Sequence, residues 1–199
     1  MFPDYFLGTD VVFLAKDLLG KYVFTQIDGQ IAGGIITETE AYRGITDRAS
    51  HAYGGRRTQR NEMMYAAGGV AYIFLCYGMH HMLNFVTNAK DVPDAVLIRG
   101  IQPTHGEELM LKRTGKNRCT PALTDGPGKV CKALGITMSE NGTSLFSDRL
   151  WVEDRGMVVP DNQIITGPRV GVDYAGEDAK LPWRFRGKMR DESSFLIEN

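Results

Sequence analysis

Two glutamates and a tyrosine alternate along residues 37–44, a pattern that could support acid or base chemistry. The preceding residues 31–36 are apolar and mostly β-branched or small, which predicts a strand. Side chains alternate along a strand, so Glu38, Glu40 and Tyr42 should project from one face. Carboxylates seldom point where a strand packs unless they have a use. This stretch is therefore a candidate active site, with a solvated strand end as the alternative.

A basic loop follows this strand, because residues 43–60 contain five arginines and one acid, a local charge of 5 − 1 = +4. The arginines are Arg43, Arg48, Arg56, Arg57 and Arg60, and the acid is Asp47. Arginine side chains and glycine-rich backbone can both contact phosphates. The loop therefore predicts a contact with a polyanion, and an ordinary solvated loop is the alternative. His51 lies within it.

Residues 70–77 and 81–87 read as two strands of a hairpin with a tight turn between them. Tyr77 and Met79 would stand at its tip. Turn tips are normally polar, so two large apolar side chains suggest insertion into a partner. Proteins that bend DNA push such side chains between base steps. The alternative is a tip that folds back onto the core.

Other elements follow from local signals. A capped helix should begin at Thr9 or Asp10, and Asp28-Gly29 predicts a type I′ hairpin turn. Arg99 interrupts an apolar strand and would need an acidic partner such as Glu40. The sequence also predicts helices over 106–113 and 125–135 and short strands over 150–153 and 169–172. The N-terminus of the second helix, with Lys129, would suit a phosphate, and residues 183–190 form a second basic and aromatic segment.

Composition sets the class of protein. A chain of 199 residues with net charge −1 predicts one domain over 1–199 whose anion-binding surface is local. Three cysteines without Cys-x-x-Cys spacing argue against a disulfide framework or a zinc site. A basic leader is absent, and no apolar run is long enough to cross a bilayer. We therefore expect a soluble cytoplasmic protein, associated with the nucleoid if bacterial, without membrane contact.

Several chemistries lack their usual motifs. A Gly-x-x-x-x-Gly-Lys phosphate loop and a Gly-x-Ser-x-Gly nucleophile motif are both missing from the sequence. The pair His80-His81 adjoins no acid cluster and no cysteine pair, so no metal is expected. Hydrolysis of a nucleic acid by an activated water fits the residues, and a module that stacks single-stranded bases fits them too.

Together these segments resemble the alkyladenine (3-methyladenine) DNA glycosylase family. The matching segments are 37–42, His51, 54–61, 77–79, Asn84, 97–99, 126–131 and 169–172, in order along residues 11–188. The resemblance implies a single mixed α/β (α+β) domain, built on a curved antiparallel sheet with a protruding β-hairpin and flanking short helices. It also implies an enzyme of base-excision repair that needs no cofactor.

The resemblance implies a role for each matching residue. Glu40 would activate water, and Arg99 would help to hold that water. A flipped damaged purine would be bound by Tyr42, His51, Tyr72, Phe74 and Asn84. Tyr77, with Met79, would fill the gap in the duplex, and Arg56, Arg57, Arg60 and Lys129 would contact the DNA backbone. Phe74 stands where the family commonly has tyrosine, which leaves the substrate range open.

The implied partner is double-stranded DNA that contains alkylated or deaminated purines, bound by a monomer. No lysine lies in the motif to form a Schiff base with the sugar, so we expect hydrolysis without strand cleavage. A non-catalytic nucleic-acid binding module is the alternative. A one-carbon transferase on a related scaffold is a third possibility, but it would need a donor site that the sequence does not reveal.

Overall fold

A computed structural model describes residues 3–188 and confirms the mixed α/β class. The strands within this range, all paired antiparallel, form one sheet that is not closed. They are β1 (Tyr22–Ile27), β2 (Gln30–Tyr42), β3 (Ala71–Cys76), β4 (His80–Thr87), β5 (Asp94–His105), β6 (Leu150–Glu153), β7 (Ile164–Gly167) and β8 (Arg184–Gly187). The α-helices are α1 (Val11–Asp17), α2 (Glu107–Thr114) and α3 (Pro127–Leu134).

Strand β2 is the centre of this sheet. One of its edges pairs with β5, while the other pairs first with β1 and then with β8. The tight β1–β2 turn has φ of 53° at Asp28 and 73° at Gly29, as the type I′ prediction requires. Pairing with β5 shifts register around Glu38, which marks an irregularity just before the candidate site.

The two faces of β2 have different neighbours. The hydroxyl of Thr39 donates to the carbonyl of Ala15 in α1, so Thr39 faces the helices. The main core lies on that face, where α1 and α3 pack on β2, β4 and β5. Helix α1 begins as predicted, because the Asp10 carboxylate accepts the N–H groups of Val12 and Phe13. Glu40 faces the opposite side, where its carboxylate accepts the N–H of Val170 in the loop after β7.

The prediction of a strand over 169–172 was wrong. These residues form a loop after β7, and Gly171 has φ of 74°, which a strand does not allow. The N–H of Val170 donates to the Glu40 carboxylate instead of to a neighbouring strand. The basic segment at 183–190 contains β8, while its last two residues, Met189 and Arg190, lie outside the described range.

Within residues 3–188, helices are all too short or too polar to span a bilayer.

Candidate active site

Glu40 is fully buried, with 0% of its surface exposed, yet three polar groups surround its carboxylate. One oxygen, Oε1, accepts the Val170 N–H at 2.8 Å and lies 3.3 Å from the Nη1 atom of Arg99. The other oxygen, Oε2, accepts the Tyr42 hydroxyl at 2.8 Å. A buried carboxylate is costly unless it is paired and hydrogen-bonded. This environment meets that condition and fixes the orientation of the carboxylate.

Arg99 contacts both glutamates of the motif. Its Nε atom donates to Glu38 Oε1 at 3.1 Å, while its Nη1 reaches Glu40. Arg184 of β8 donates from Nε to the same oxygen of Glu38. The acidic partner expected for Arg99 is therefore present, and Glu38 is a second one that the sequence did not single out. Glu38, Glu40 and Tyr42, whose alternation along β2 predicted a common face, thus form one connected group with Arg99 of β5.

A second buried ion pair supports the loop that contacts Glu40. Arg169 binds both carboxylate oxygens of Asp47, and both side chains have no exposed surface. Its guanidinium also donates to the carbonyls of Ala41 and Asp178. Since Arg169 adjoins Val170, this pair anchors the peptide N–H that Glu40 accepts.

The ring of Tyr42 lies over this ion pair. The Arg169 guanidinium carbon is 4.8 Å from the centre of the Tyr42 ring and 5.1 Å from that of Trp183. Ala49, Val172 and Ala175 form a small apolar cluster against the tyrosine. The position of Tyr42 is therefore set by packing as well as by its bond to Glu40.

The candidate base-binding residues lie along the same face of the sheet. In the sheet register Tyr72 is opposite Asn84, Asn84 is opposite Leu97, and Leu97 is opposite Glu40. Directly opposed residues of neighbouring strands point to the same face. Tyr72, Asn84 and Glu40 therefore stand in one row across β3, β4, β5 and β2.

An aromatic group stands at the β3 end of this row. Nδ1 of His51 and the Tyr72 hydroxyl share a hydrogen bond of 2.8 Å. The His51 ring meets that of Phe74 edge to face, with 4.5 Å between their centres. Asn84 donates to the carbonyl of Tyr72 at 3.1 Å, which holds its amide against β3. The structure thus brings together four of the five residues assigned to the base, and Tyr42 lies with Glu40.

The hairpin tip, Tyr77–Met79, projects from the protein. Tyr77 is 87% exposed and Met79 is 70% exposed, which excludes the alternative that the tip folds back onto the core. Tyr77 and Gly78 have φ of 50° and 70°, and the Met79 N–H donates to the Cys76 carbonyl, which closes a tight turn. Backbone geometry therefore presents both side chains to solvent.

The predicted backbone-contact residues are exposed, but their surroundings differ. Arg57 forms ion pairs with Glu62 and with Asp91, and its Nη1 atom lies 2.8 Å from Asp91 Oδ1. Arg56, in contrast, forms no ion pair with an acid among residues 3–188. Arg60 approaches the ring of Phe74, with 5.8 Å from its guanidinium carbon to the ring centre. A cleft of about 260 Å³ adjoins His51 and is lined by Arg48, Arg56, Arg60, Tyr53 and Tyr174, among others. Lys129 is exposed in the first turn of α3.

Burial alters the protonation of the site. It raises the pKa of Glu40 above its usual 4.5, although Arg99, the Val170 N–H, the Tyr42 hydroxyl and Arg169 act in the opposite direction. Burial, with the nearby carboxylate of Glu40, also raises the pKa of Tyr42 far above 10. Tyr42 therefore stays a hydrogen-bond donor at neutral pH.

His51 is neutral at physiological pH. Burial is the main cause that lowers its pKa to about 4, and the positive charges of Arg60 and Arg56 act in the same direction. A neutral imidazole can both donate and accept one hydrogen bond, and it adds no positive charge beside a base.

The sequence analysis did not assign three residues that build the site. These are Asp47 and Arg169, which pair with each other, and Glu38 as a partner of Arg99. Asp47 had a visible signal, because it is the only acid in a basic loop. The other two depend on contacts with residues 122 and 61 positions away. Across residues 3–188 there is no group of three or more His, Cys, Asp or Glu side chains that could hold a metal ion.

Sequence comparisons identify the family to which this chain belongs. Residues 5–191 match the model of the methylpurine-DNA glycosylase family. A protein of Chlamydia felis is 49% identical over 93% of this chain and 95% of its own length, and a Bacillus cytotoxicus protein is 44% identical over 92% and 94%. Both are provisionally named 3-methyladenine DNA glycosylase. The chain therefore belongs to the methylpurine-DNA glycosylase family.

Proposed function

We propose that this protein removes damaged purines from duplex DNA by hydrolysing the bond between base and sugar, with Glu40 as the base that activates water. The observation that carries the proposal is a fully buried glutamate held by one long guanidinium contact, a peptide N–H and a tyrosine hydroxyl. A glycosidic bond breaks with positive charge developing on the sugar. A fixed carboxylate beside that sugar can orient water and stabilise the charge.

The neighbouring residues supply a place for the base. We propose that a flipped purine enters between Tyr42 on one side and the group of His51, Tyr72 and Phe74 on the other. Asn84 would border the pocket in the row that contains Glu40. Neutral His51 would leave the cation–π attraction of the aromatic rings available to alkylated purines that carry positive charge.

The hairpin tip would act in the duplex. Flipping a base costs a few kcal/mol of unstacking, and least for damaged or mispaired bases. Insertion of Tyr77, supported by Met79, would offset part of this cost by stacking in the gap. Arg56, Arg57, Arg60 and Lys129 would position the DNA through its phosphates.

We further propose that the reaction stops at an abasic site. The contacts of Glu40 come from arginine, tyrosine and a peptide N–H, and none of them is an amine that could attack the sugar. Borohydride treatment during the reaction should therefore trap no covalent complex. A trapped complex would show a lyase step.

The test is release of free base from methylated DNA and from duplexes with a single hypoxanthine or ethenoadenine, in the presence of chelator. Wild type should release base, and Glu40→Gln should be slower by at least about 100-fold, the usual contribution of a general base. Glu177→Gln, which changes an exposed glutamate, is the matched control and should keep the wild-type rate.

Other outcomes separate the alternatives. Equal DNA binding by wild type and Glu40→Gln without release by either would favour a non-catalytic binding module. Release by both proteins at similar rates would keep the enzyme and remove Glu40 from its proposed role.

A further inference from the structure

Glu38 is a buried carboxylate that the proposed chemistry does not use. It is 3% exposed and lies two residues before Glu40 on β2. Its Oε1 atom accepts the Nε–H groups of Arg99, at 3.1 Å, and of Arg184. A charged group in such a position is costly to bury and calls for a specific role.

The contact between Glu38 and Arg99 decides how Arg99 meets Glu40. Guanidinium is planar, and its N–H groups form a rigid fork that can bind a carboxylate with two parallel hydrogen bonds. Here Nε is bound to Glu38, and the guanidinium approaches Glu40 from Nη1 to Oε1. That distance, 3.3 Å, exceeds the 2.7–2.9 Å typical of a charge-assisted hydrogen bond. Arg99 is 12% exposed and thus has little freedom to rearrange while Glu38 holds it.

We infer that Glu38 is a positioning residue, which holds the Arg99 guanidinium by Nε at this distance and so keeps Nη1 and Nη2 from closing a two-bond ion pair on Glu40. A guanidinium bound through both arms would neutralise the carboxylate and weaken it as a base. With Nε held, Arg99 stays close enough to support a negative charge and leaves Glu40 able to accept a proton. This inference rests on the proposed role of Glu40.

Several charged or titratable groups face Glu40, and they set the sign of the expected effect. These are Tyr42 and Glu38 on β2, Arg99 on β5, Arg169 with Val170 N–H on the loop after β7, and Arg184 on β8, which acts through Glu38. Loss of the Glu38 charge removes a nearby negative group and weakens the bond that holds Arg99, which can then move closer to Glu40. Both changes favour the ionised form, so the pKa of Glu40 should fall.

The experiment is a titration of the Glu40 carboxyl by ¹³C NMR, with the signal assigned by its loss in Glu40→Gln. In Glu38→Gln, Glu40 should titrate at lower pH than in wild type. The acid limb of base release should move to lower pH with it, and the rate at the plateau should fall by about 10-fold because a weaker base accepts a proton less readily.

Arg184→Gln is the matched control, because it also breaks the contact that ties β2 to β8 through Glu38. It leaves Arg99 bound to Glu38, so the titration of Glu40 should stay at the wild-type pH or move upward. Shifts of the same direction in Glu38→Gln and Arg184→Gln would show a merely structural role. An unchanged or raised titration in Glu38→Gln would also overturn the inference.

A double variant keeps the test valid if Glu38→Gln does not fold. Glu38→Gln with Arg184→Gln removes one charge of each sign, and the titration of Glu40 should again move to lower pH. No shift in this double variant would contradict the inference. The NMR titration needs no activity, so absence of base release by wild type would count against the proposed function, while normal release with unshifted titrations would count against the inference alone.

Discussion

The buried charge cluster and the hairpin tip are built in opposite ways. The cluster, which comprises Glu38, Glu40, Asp47, Arg99 and Arg169, is held by ion pairs between residues distant in the chain. The tip, Tyr77–Met79, is set by one local turn and makes its large side chains available to solvent. The stability of the protein should therefore depend on the cluster. Recognition of the DNA duplex should depend on the tip.

This difference follows from the tasks proposed for the two regions. A base for water must be fixed and shielded before the substrate arrives, since preorganised groups need no rearrangement during the reaction. A side chain that inserts into DNA should make few contacts within the protein, because every contact that must break on insertion makes DNA binding less favourable. The protein thus combines a buried charge cluster with an exposed hairpin tip.

The largest expected effect on stability comes from breaking the Asp47–Arg169 pair. Asp47→Asn leaves the Arg169 charge buried without a partner, which should lower the free energy of unfolding by about 3–5 kcal/mol. Urea denaturation of the variant measures the loss. Glu177→Gln, which breaks the exposed pair with Lys180, should cost less than about 1 kcal/mol. Equal losses of unfolding free energy in both variants would show that the buried pair stabilises the protein no more than an exposed pair does.

The tip should show the opposite behaviour. Tyr77→Ala should change the free energy of unfolding by no more than about 0.5 kcal/mol. Release of base from duplex DNA should fall by about 5- to 150-fold, which corresponds to the 1–3 kcal/mol of stacking on one aromatic side chain. Single-turnover kinetics on duplex and single-stranded substrates measure this effect, and Tyr77→Phe should retain the duplex rate. A loss equally large on single strands would contradict a role in filling the gap of a duplex.

The smallest effect should distinguish two adjacent arginines of the basic loop. Arg56→Gln removes a charge that no described acid neutralises, so the slope of log affinity against log salt should fall by about 1. Arg57 already pairs with Glu62 and Asp91, and Arg57→Gln should reduce the slope by less. Fluorescence anisotropy with duplex DNA over a range of NaCl concentrations gives both slopes. A larger reduction for Arg57→Gln would show that its ion pairs open when DNA binds.

Local patterns predicted much of this architecture. Alternation and β-branched residues identified β2, β3 and β4, and the Asp28-Gly29 pair identified the turn that precedes β2. The exposure of Tyr77 followed from apolar residues at a turn. The pairing of Arg99 with Glu40 could be anticipated because a buried arginine needs an acid and Glu40 was an available partner.

Long-range contacts account for what the sequence did not predict. Residues 169–172 have the composition of a strand, but the Val170 N–H is used by Glu40, 130 residues away. Asp47 looked like a minor acid in a basic loop until the fold placed Arg169 against it. In the strand pattern Glu38 looked equivalent to Glu40. The fold separates the two, because Glu38 accepts the Nε–H of Arg184 whereas Glu40 accepts the Tyr42 hydroxyl and the Val170 N–H.

The most direct test of the central claim is the pH dependence of 7-methylguanine release in single turnover. This base carries a positive charge while it is attached to the sugar and leaves as a neutral molecule when it takes the electron pair of the glycosidic bond. It therefore needs no added proton, and the acid limb reports the group that activates water. Glu40 acts as a carboxylate and its pKa is raised by burial. The rate should therefore fall as pH decreases through a value above 4.5, and this limb should be absent in Glu40→Gln. A wild-type rate that stays constant or increases through that range, with the protein still folded, would contradict the role of Glu40.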